Sequence, residues 1–350
     1  MNARQKTFYH PILNSYMALM KNFSVLLCVL FLSGAAAQDK IDYKVIKTFH
    51  VPGQGGWDYI AVNNRKLYVS HGTEVNILDE FTGDSIGIIP NTNGVHGIAF
   101  DRELNKGFTS NGRSNDVTVF DVITNKVLSR IPAGQNPDAI LYDYFSKKII
   151  TCNGRSKDLS VIDPSSGKVT ATIAVGGKPE AAVTDGEGKL YVNIEDRNEI
   201  AEINTKTFTV ENHWSILPGK EPTGLAFDKK TKRLFAGCDK LLLVVDAANG
   251  KVIDKQKIGG GCDGVVFDNK NKMIFASNGE GNITAVKEKS AYEFSVTQTI
   301  PTKKGARTIT IDENTHTLFL PTADFEAPDP NAPNERRKIV RGTFQVLVVQ

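Results

Sequence analysis

Short runs of apolar residues, often alternating with polar ones, recur along the chain after about residue 40 and are separated by turn-forming residues. The clearest turn pairs are Thr82-Gly83, Asn125-Lys126, Ser166-Gly167 and Asn249-Gly250. None of the runs keeps a helical period over ten or more positions, so the pattern does not favour helices. It predicts an all-β chain built from short antiparallel strands.

An apolar residue followed by an acidic or amide residue recurs at nearly constant spacing. Successive apolar members are 42, 42, 41, 42, 41 and 61 residues apart, and the last step equals one period plus an insertion. The members are Leu78-Asp79, Phe120-Asp121, Ile162-Asp163, Ile203-Asn204, Val245-Asp246, Val286-Lys287, where the acid is lost, and Leu347. Internal periodicity of this length indicates a repeat architecture.

A second series of the same type runs in parallel, and each member precedes a β-rich string. The members are Val62-Asn63, Phe100-Asp101, Tyr142-Asp143, Thr184-Asp185, Phe227-Asp228, Phe267-Asp268 and Ile311-Asp312. Each repeat therefore contains four short strands, which is typical of a β-propeller blade. We predict seven four-stranded antiparallel blades over residues 38–350.

The two ends of the chain are predicted to share the last blade. Residues 343–349 resemble a third strand, which leaves the seventh blade without its fourth. Residues 43–49, followed by Val51-Pro52-Gly53, resemble the fourth strands that precede similar glycine turns. The N-terminal strand is therefore expected to complete the last blade and to pair both open sheet edges.

The repeats resemble the YVTN-type β-propeller repeat. Leu190-Tyr191-Val192-Asn193 is the string most similar to that motif, and the phrases 171–176 and 178–180 also fit it. The resemblance covers essentially the whole mature chain and extends to the YncE-like exported proteins of bacteria. It implies a propeller fold and export.

The first 37 residues resemble a secretory signal peptide. Lys21 precedes an apolar run from Phe23 to Leu32, and small residues up to Ala37 follow it. We expect cleavage near Ala37 and a periplasmic or secreted mature chain. Cys28 lies mid-run, where a lipid-modified cysteine is not favoured. The start could be Met1, Met17 or Met20.

The charge balance argues against nucleic acid as a partner. The chain carries 42 basic and 39 acidic residues, and the three excess basic residues all lie in the first 37 positions. Phosphate binding needs a basic excess, which the mature chain lacks. No later stretch is apolar enough to span a membrane. We expect a monomer that binds a small polar molecule or an envelope peptide or protein.

The candidate ligand site is the channel mouth, where the loops leading into the first strands and the loops between strands two and three share one face. We predict ligand contacts from Trp57, Asp58, His71, His96, Asp138, Glu180, Asp263 and Arg307. Such a mixture of charges suits a small polar ligand. Many of these side chains could equally be solvated loop residues.

His71 and His96 fall on neighbouring blades and could bind a metal or act as acid and base. Surface histidines without such a role are the alternative, and we assign no metal site. Gly259, Gly261 and Gly264 fit a dinucleotide fingerprint, but no helix follows them, so no cofactor is predicted.

Cys238 and Cys262 could form a disulfide between blades five and six, because both should lie on the mouth face. The insertion from Thr322 to Lys338 is proline-rich and reads as an extended loop over the mouth, where it could also be disordered.

Two functions remain open at this stage. The first is a non-enzymatic binding protein of the cell envelope. The second is a hydrolase resembling the lactonase-type propellers, with His96, Arg307, Glu180 and Asp263 as candidate catalytic residues.

Overall fold

The computed structural model describes residues 42–53, 55–327 and 338–350, which form seven four-stranded antiparallel sheets. The predicted seven-bladed β-propeller is therefore confirmed. The predicted signal peptide and Cys28 lie outside the described residues, as does most of the predicted insertion. Within the described ranges, no helix has the length and apolarity needed to cross a bilayer.

The first strand, β1 (Val45–His50), belongs to the last blade. Blades one to three then follow in chain order. From the channel outward, blade one consists of β2 (Trp57–Asn63), β3 (Lys66–His71), β4 (Glu74–Asp79) and β5 (Ser85–Ile89). Blade two consists of β6 (Val95–Asp101), β7 (Lys106–Asn111), β8 (Asp116–Asp121) and β9 (Val127–Pro132). Blade three consists of β10 (Pro137–Asp143), β11 (Lys148–Asn153), β12 (Asp158–Asp163) and β13 (Lys168–Ala174).

Blades four to six repeat this arrangement, and a single 3-10 turn, Glu195–Arg197, follows the second strand of blade four. Blade four consists of β14 (Pro179–Thr184), β15 (Lys189–Ile194), β16 (Glu199–Asn204) and β17 (Thr209–Ser215). Blade five consists of β18 (Leu225–Asp228), β19 (Arg233–Cys238), β20 (Leu241–Asp246) and β21 (Val252–Lys257). Blade six consists of β22 (Cys262–Asp268), β23 (Met273–Asn278), β24 (Asn282–Ser290) and β25 (Glu293–Pro301).

Both chain ends contribute to the seventh blade. It orders β26 (Thr310–Asp312), β27 (Thr317–Thr322), β28 (Gln345–Val349) and then β1. Strand β1 pairs antiparallel with β28, with Thr48 opposite Leu347 and His50 opposite Gln345. The predicted closure by the N-terminal strand is confirmed, and no edge of β28 is left unpaired.

The two recurrent acid series have a structural cause. Acids of the second series end the first strands, and Asp101, for example, accepts backbone N–H bonds from Glu103 and Leu104. Acids of the first series end the third strands, and Asp121 accepts the same bonds from Ile123 and Thr124. These Asx turns close the hairpins, so the carboxyl group recurs once per hairpin.

The sixth blade departs from this rule where Lys287 replaces the acid. Its third strand continues to Ser290, and its fourth strand begins at Glu293. Both strands are longer than their counterparts in the other blades. Without a carboxyl group to accept the turn N–H bonds, pairing continues to the Ser290–Glu293 pair.

Apolar side chains fill the spaces between neighbouring blades. The second and third strands are almost wholly buried, whereas fourth strands such as β9 are mostly exposed. Phe49 of β1 packs with Leu78 of blade one and with Phe319 and Val346 of blade seven. The closing strand thus also joins the last blade to the first.

The base of the insertion is a short antiparallel pair. Phe325 forms a β-bridge with Ile339, and backbone N–H groups of Glu326 and Val340 donate to the carbonyls of Lys338 and Asp324. The rest of the predicted loop over the mouth, residues 328–337, lies outside the described residues.

Candidate functional site

Six ionisable side chains meet at one end of the channel. Five of them occupy the second position of the innermost strand of their blade, and Arg307 lies just before β26. They are Asp58, His96, Asp138, Glu180, Asp263 and Arg307. We call this set the mouth ring. The repeat causes the convergence, because equivalent positions of neighbouring inner strands lie side by side around the axis.

The centre of the mouth ring is a histidine between two carboxylates. His96 Nδ1 lies 2.5 Å from Asp58 Oδ2 and 3.8 Å from Asp138 Oδ1. Burial alone would lower the pKa of His96, but the hydrogen bond to Asp58 and the charges of Asp138 and Asp58 outweigh it and raise that pKa to about 9. His96 is therefore an imidazolium at neutral pH.

Arg307, which leads into blade seven, forms a second ion pair at the mouth. Arg307 Nε lies 2.5 Å from Asp263 Oδ2, and Arg307 Nη2 lies 3.8 Å from Asp58 Oδ1. Burial raises the pKa of Asp263, and the Arg307 charge only partly opposes it. The guanidinium thus links carboxylates from blades six and one.

Two further carboxyl groups lie on blades three and four. Burial, followed by the charge of Asp58, raises the pKa of Asp138. Burial, followed by the charge of Asp138, raises the pKa of Glu180. Lys178 Nζ lies 2.6 Å from Glu180 Oε1 and also pairs with Glu195. The mouth ring therefore holds four carboxyl groups and two cations, with Lys178 as a third cation beside Glu180.

Tyr59 lies in the channel beside the mouth ring. The equivalent residues of the other blades are small: Gly97, Ala139, Ala181, Gly224, Gly264 and Thr308. The Tyr59 ring packs against the core between blades three and four, across the channel from its own blade. Burial and then the charges of Asp138 and Asp58 raise its pKa well above the usual range, so the phenol stays protonated. The mouth is therefore a cup whose floor includes this side chain.

Sequence reasoning missed Tyr59, since an aromatic residue on a first strand reads as core. The signal that could have found it is the contrast with the six small residues at equivalent positions.

The structure does not place Trp57 and His71 in the mouth ring. Trp57 is 7% exposed and stacks on Phe344, with 5.5 Å between ring centroids. His71 is also buried, donates or accepts a 3.1 Å bond to Asn76 through Nδ1, and lies 4.1 Å from the Phe344 ring centroid. Each lies opposite the other in the β2–β3 pair, behind the mouth. Their ligand-binding role stays a prediction.

The suggested disulfide is not formed, and Cys238 and Cys262 are buried free thiols. Successive residues of a strand point to opposite faces of a sheet. Cys238 packs into the core on the side of blade four, whereas Cys262 packs into the core between blades five and six. The fifth sheet separates the two sulfurs, although their strand ends share the mouth face.

Three members of the mouth ring have a spacing that suits a metal ion, and they include His96, which the sequence offered as a metal ligand together with His71. Asp58, His96 and Asp138 each offer a ligand atom, and these atoms lie within 4.8 Å of one another. Imidazole nitrogen with carboxylate oxygen suits several divalent metals. Because His96 holds its proton strongly, a metal ion would have to displace that proton.

Known proteins resemble this chain in fold. No family model matches it, and no curated protein does. A solved chain of Kuenenia stuttgartiensis hydrazine synthase is similar, with a TM-score of 0.68, 14% identity and coverage of 83% of this chain and 97% of that one. A chain of a mitotic checkpoint complex has a TM-score of 0.69 and 12% identity, covering 79% and 90%. These likenesses show the propeller fold, and a fold alone does not establish a function.

The mouth ring makes stability depend on pH in a definite direction. His96, Asp138 and Glu180 all have raised pKa values, so the folded chain holds more protons than the unfolded one. Stability falls with rising pH wherever the native state binds more protons. The His96 contribution is complete below about pH 6.5 and is lost as pH rises through about 9.

Replacing Asp138 should weaken this dependence. Asp138→Asn removes a charge that acts on both His96 and Glu180, so both pKa values should move towards their ordinary values. We expect the fall in Tm between about pH 6 and about pH 9 to shrink by a few degrees. Asp254→Asn, on the outer strand β21, is the control and should keep the parental pH profile. Equal profiles for both variants would contradict the assigned charges.

Proposed function

We propose that this chain is a binding protein exported to the bacterial cell envelope, and that the mouth ring captures a small cationic or zwitterionic molecule or the positive end of a peptide. The observation that carries the proposal is the convergence of four carboxyl groups at one end of the channel. They belong to Asp58, Asp138, Glu180 and Asp263, and the cations that oppose them are His96 and Arg307 of the mouth ring and Lys178 beside it.

The surroundings strengthen attraction for a cation. The four carboxyl groups lie in a partly desolvated cup, where charge interactions are stronger than in bulk water. Burial and mutual repulsion raise the pKa values of Asp138 and Glu180, and an added positive charge relieves both. A bound ammonium group would therefore be favoured over a neutral group of the same shape.

Export and family membership rest on the sequence. The signal-peptide pattern of residues 1–37 and the YVTN-like string Leu190-Tyr191-Val192-Asn193, which lies in β15, support an exported YVTN-type, YncE-like protein. The balanced charge of the mature chain supports a partner other than nucleic acid. We propose that the mature protein acts as a monomer.

A matched pair of ligands tests the charge preference. At constant ionic strength, 1,4-diaminobutane should raise Tm saturably, whereas uncharged 1,4-butanediol should not. A ligand at 100 times its Kd stabilises the native state by about 2.7 kcal/mol. Asp138→Asn and Glu180→Gln should each weaken diamine binding about tenfold, because each removes a carboxylate from the cup.

Asp254→Asn serves as the matched control, since it removes an acid outside the mouth ring. Its diamine titration should superimpose on that of the parent. The proposal fails if the diamine causes no saturable shift, or if Asp138→Asn and Asp254→Asn respond alike.

The hydrolase alternative has one specific observation in its favour, the 2.5 Å contact between His96 and Asp58 beside Arg307. Together with Glu180 and Asp263 these residues resemble an acid–base set. However, the raised pKa of His96 keeps this side chain protonated at neutral pH. A protonated imidazolium is a poor general base.

A lactone panel separates the two functions. For a binding protein, the parent and His96→Ala should show the same background hydrolysis, with or without a chelator. Turnover that depends on His96 would instead establish the hydrolase.

A further inference from the structure

A cavity of about 430 Å³ lies beside the mouth ring, between the loop that leads into blade one and the base of the insertion. Its polar wall comes from Arg113, Arg307 and Lys338, and its apolar wall from Trp57, Phe325 and Ile339. Gly56 adds open backbone between the two walls, since no atom lies within 4 Å of the place where a side chain would begin.

Arg113, Arg307 and Lys338 make the described part of the polar wall cationic. None of the described residues that line the cavity is acidic. Arg307 is already committed to Asp263 through Nε. Arg113 is exposed, and within the described ranges its guanidinium forms neither a hydrogen bond nor an ion pair. A guanidinium at a cavity wall presents a planar set of donors that matches a carboxylate.

The apolar wall consists of side chains that pack against one another. Trp57 lies between Phe344, on which it stacks, and Phe325, whose ring centroid is 5.9 Å away. The β-bridge between Phe325 and Ile339 fixes two of the three apolar residues relative to each other. Such a wall suits an aromatic ring, which gains from offset stacking or edge contact in addition to burial.

Trp57 also has a polar group without a partner. Its side chain is 7% exposed, and Nε1 makes no hydrogen bond in the described structure. A buried indole N–H usually has an acceptor, and leaving it unpaired is costly.

We propose that this cavity binds a small carboxylate that carries an aromatic ring, with the carboxylate at Arg113 and the ring against Trp57 and Phe325. A carboxylate supplies the negative charge that the described walls lack, and the cavity volume fits a molecule of this size. The site goes beyond the proposed function, because it uses none of the four carboxyl groups of the mouth ring.

The repeat supplies an internal control for Arg113. Asn111-Gly112-Arg113-Ser114 in blade two recurs as Asn153-Gly154-Arg155-Ser156 in blade three. The backbone N–H groups of Arg113 and Arg155 make equivalent bonds, to the carbonyls of Asn93 and Gln135. Both arginines are exposed, but only Arg113 is among the residues that line this cavity.

The test uses 3-phenylpropionate as probe and 3-phenylpropanol as its uncharged counterpart. The chain has two tryptophans, so Trp214→Phe leaves Trp57 as the fluorescent reporter. In that background, 3-phenylpropionate should change Trp57 fluorescence saturably, and 3-phenylpropanol should bind more weakly. Arg113→Gln should weaken 3-phenylpropionate binding about tenfold, because a charge-assisted bond is lost, whereas Arg155→Gln should bind as its parent does.

Three results would overturn the proposal: no saturable change, equal binding of the acid and the alcohol, or equal affinities of Arg113→Gln and Arg155→Gln. Both arginines are exposed, so neither substitution threatens folding, and matching Tm values would verify this. Asp138→Asn separates this site from the mouth ring. It should weaken diamine binding about tenfold and leave 3-phenylpropionate binding unchanged.

Discussion

Pairing of β1 with β28 is the constraint on which the rest of the molecule depends. Seven blades close only if the last one is completed, and its outer strand comes from the opposite end of the chain. Lys44 and Gln350 exchange backbone hydrogen bonds of 3.1 Å, and Val51 N–H donates to Phe344 at 2.9 Å. These bonds extend the β1–β28 pairing within blade seven, from which the chain runs directly into blade one.

The chemistry of the mouth follows from that closure. Thr308 Oγ1 donates to the carbonyl of Asp58 at 2.6 Å, across the boundary between the last blade and the first. The same boundary sets Arg307 near Asp58, whose carboxylate in turn holds His96. An open circle would leave Asp58 without its neighbour from blade seven. The cup, its charged groups and the cavity lined by Trp57 therefore all depend on the pairing of β1 with β28.

The sequence predicted the architecture because its signal is repeated. Turn acids such as Asp101 and Asp121 recur once per blade, and the same Asx turn explains each of them. The positions of Asp138, Glu180 and Asp263 at the mouth were predictable for the same reason, since each begins an inner strand. Whether these residues bind a ligand was not predictable, because a repeat determines where a residue lies and not what it binds.

The repeat pattern did not predict the direction in which individual side chains point. Trp57 immediately precedes Asp58, yet it packs outward against Phe344 instead of joining the mouth ring. Cys238 and Cys262 share the mouth face but occupy cores on opposite sides of the fifth sheet. Such differences arise from alternation along a strand and from packing between blades, which a single sequence does not show.

Hydrogen exchange of the backbone amides in β1 and β28 tests the closure most directly. If β1 completes the circle, the β1 amides that donate to β28 and the amides of residues 345–349 should be protected together and should exchange only when the blade opens. Rapid exchange in β1 alongside slow exchange in β28 would contradict the closure, and with it the assembly of the mouth ring.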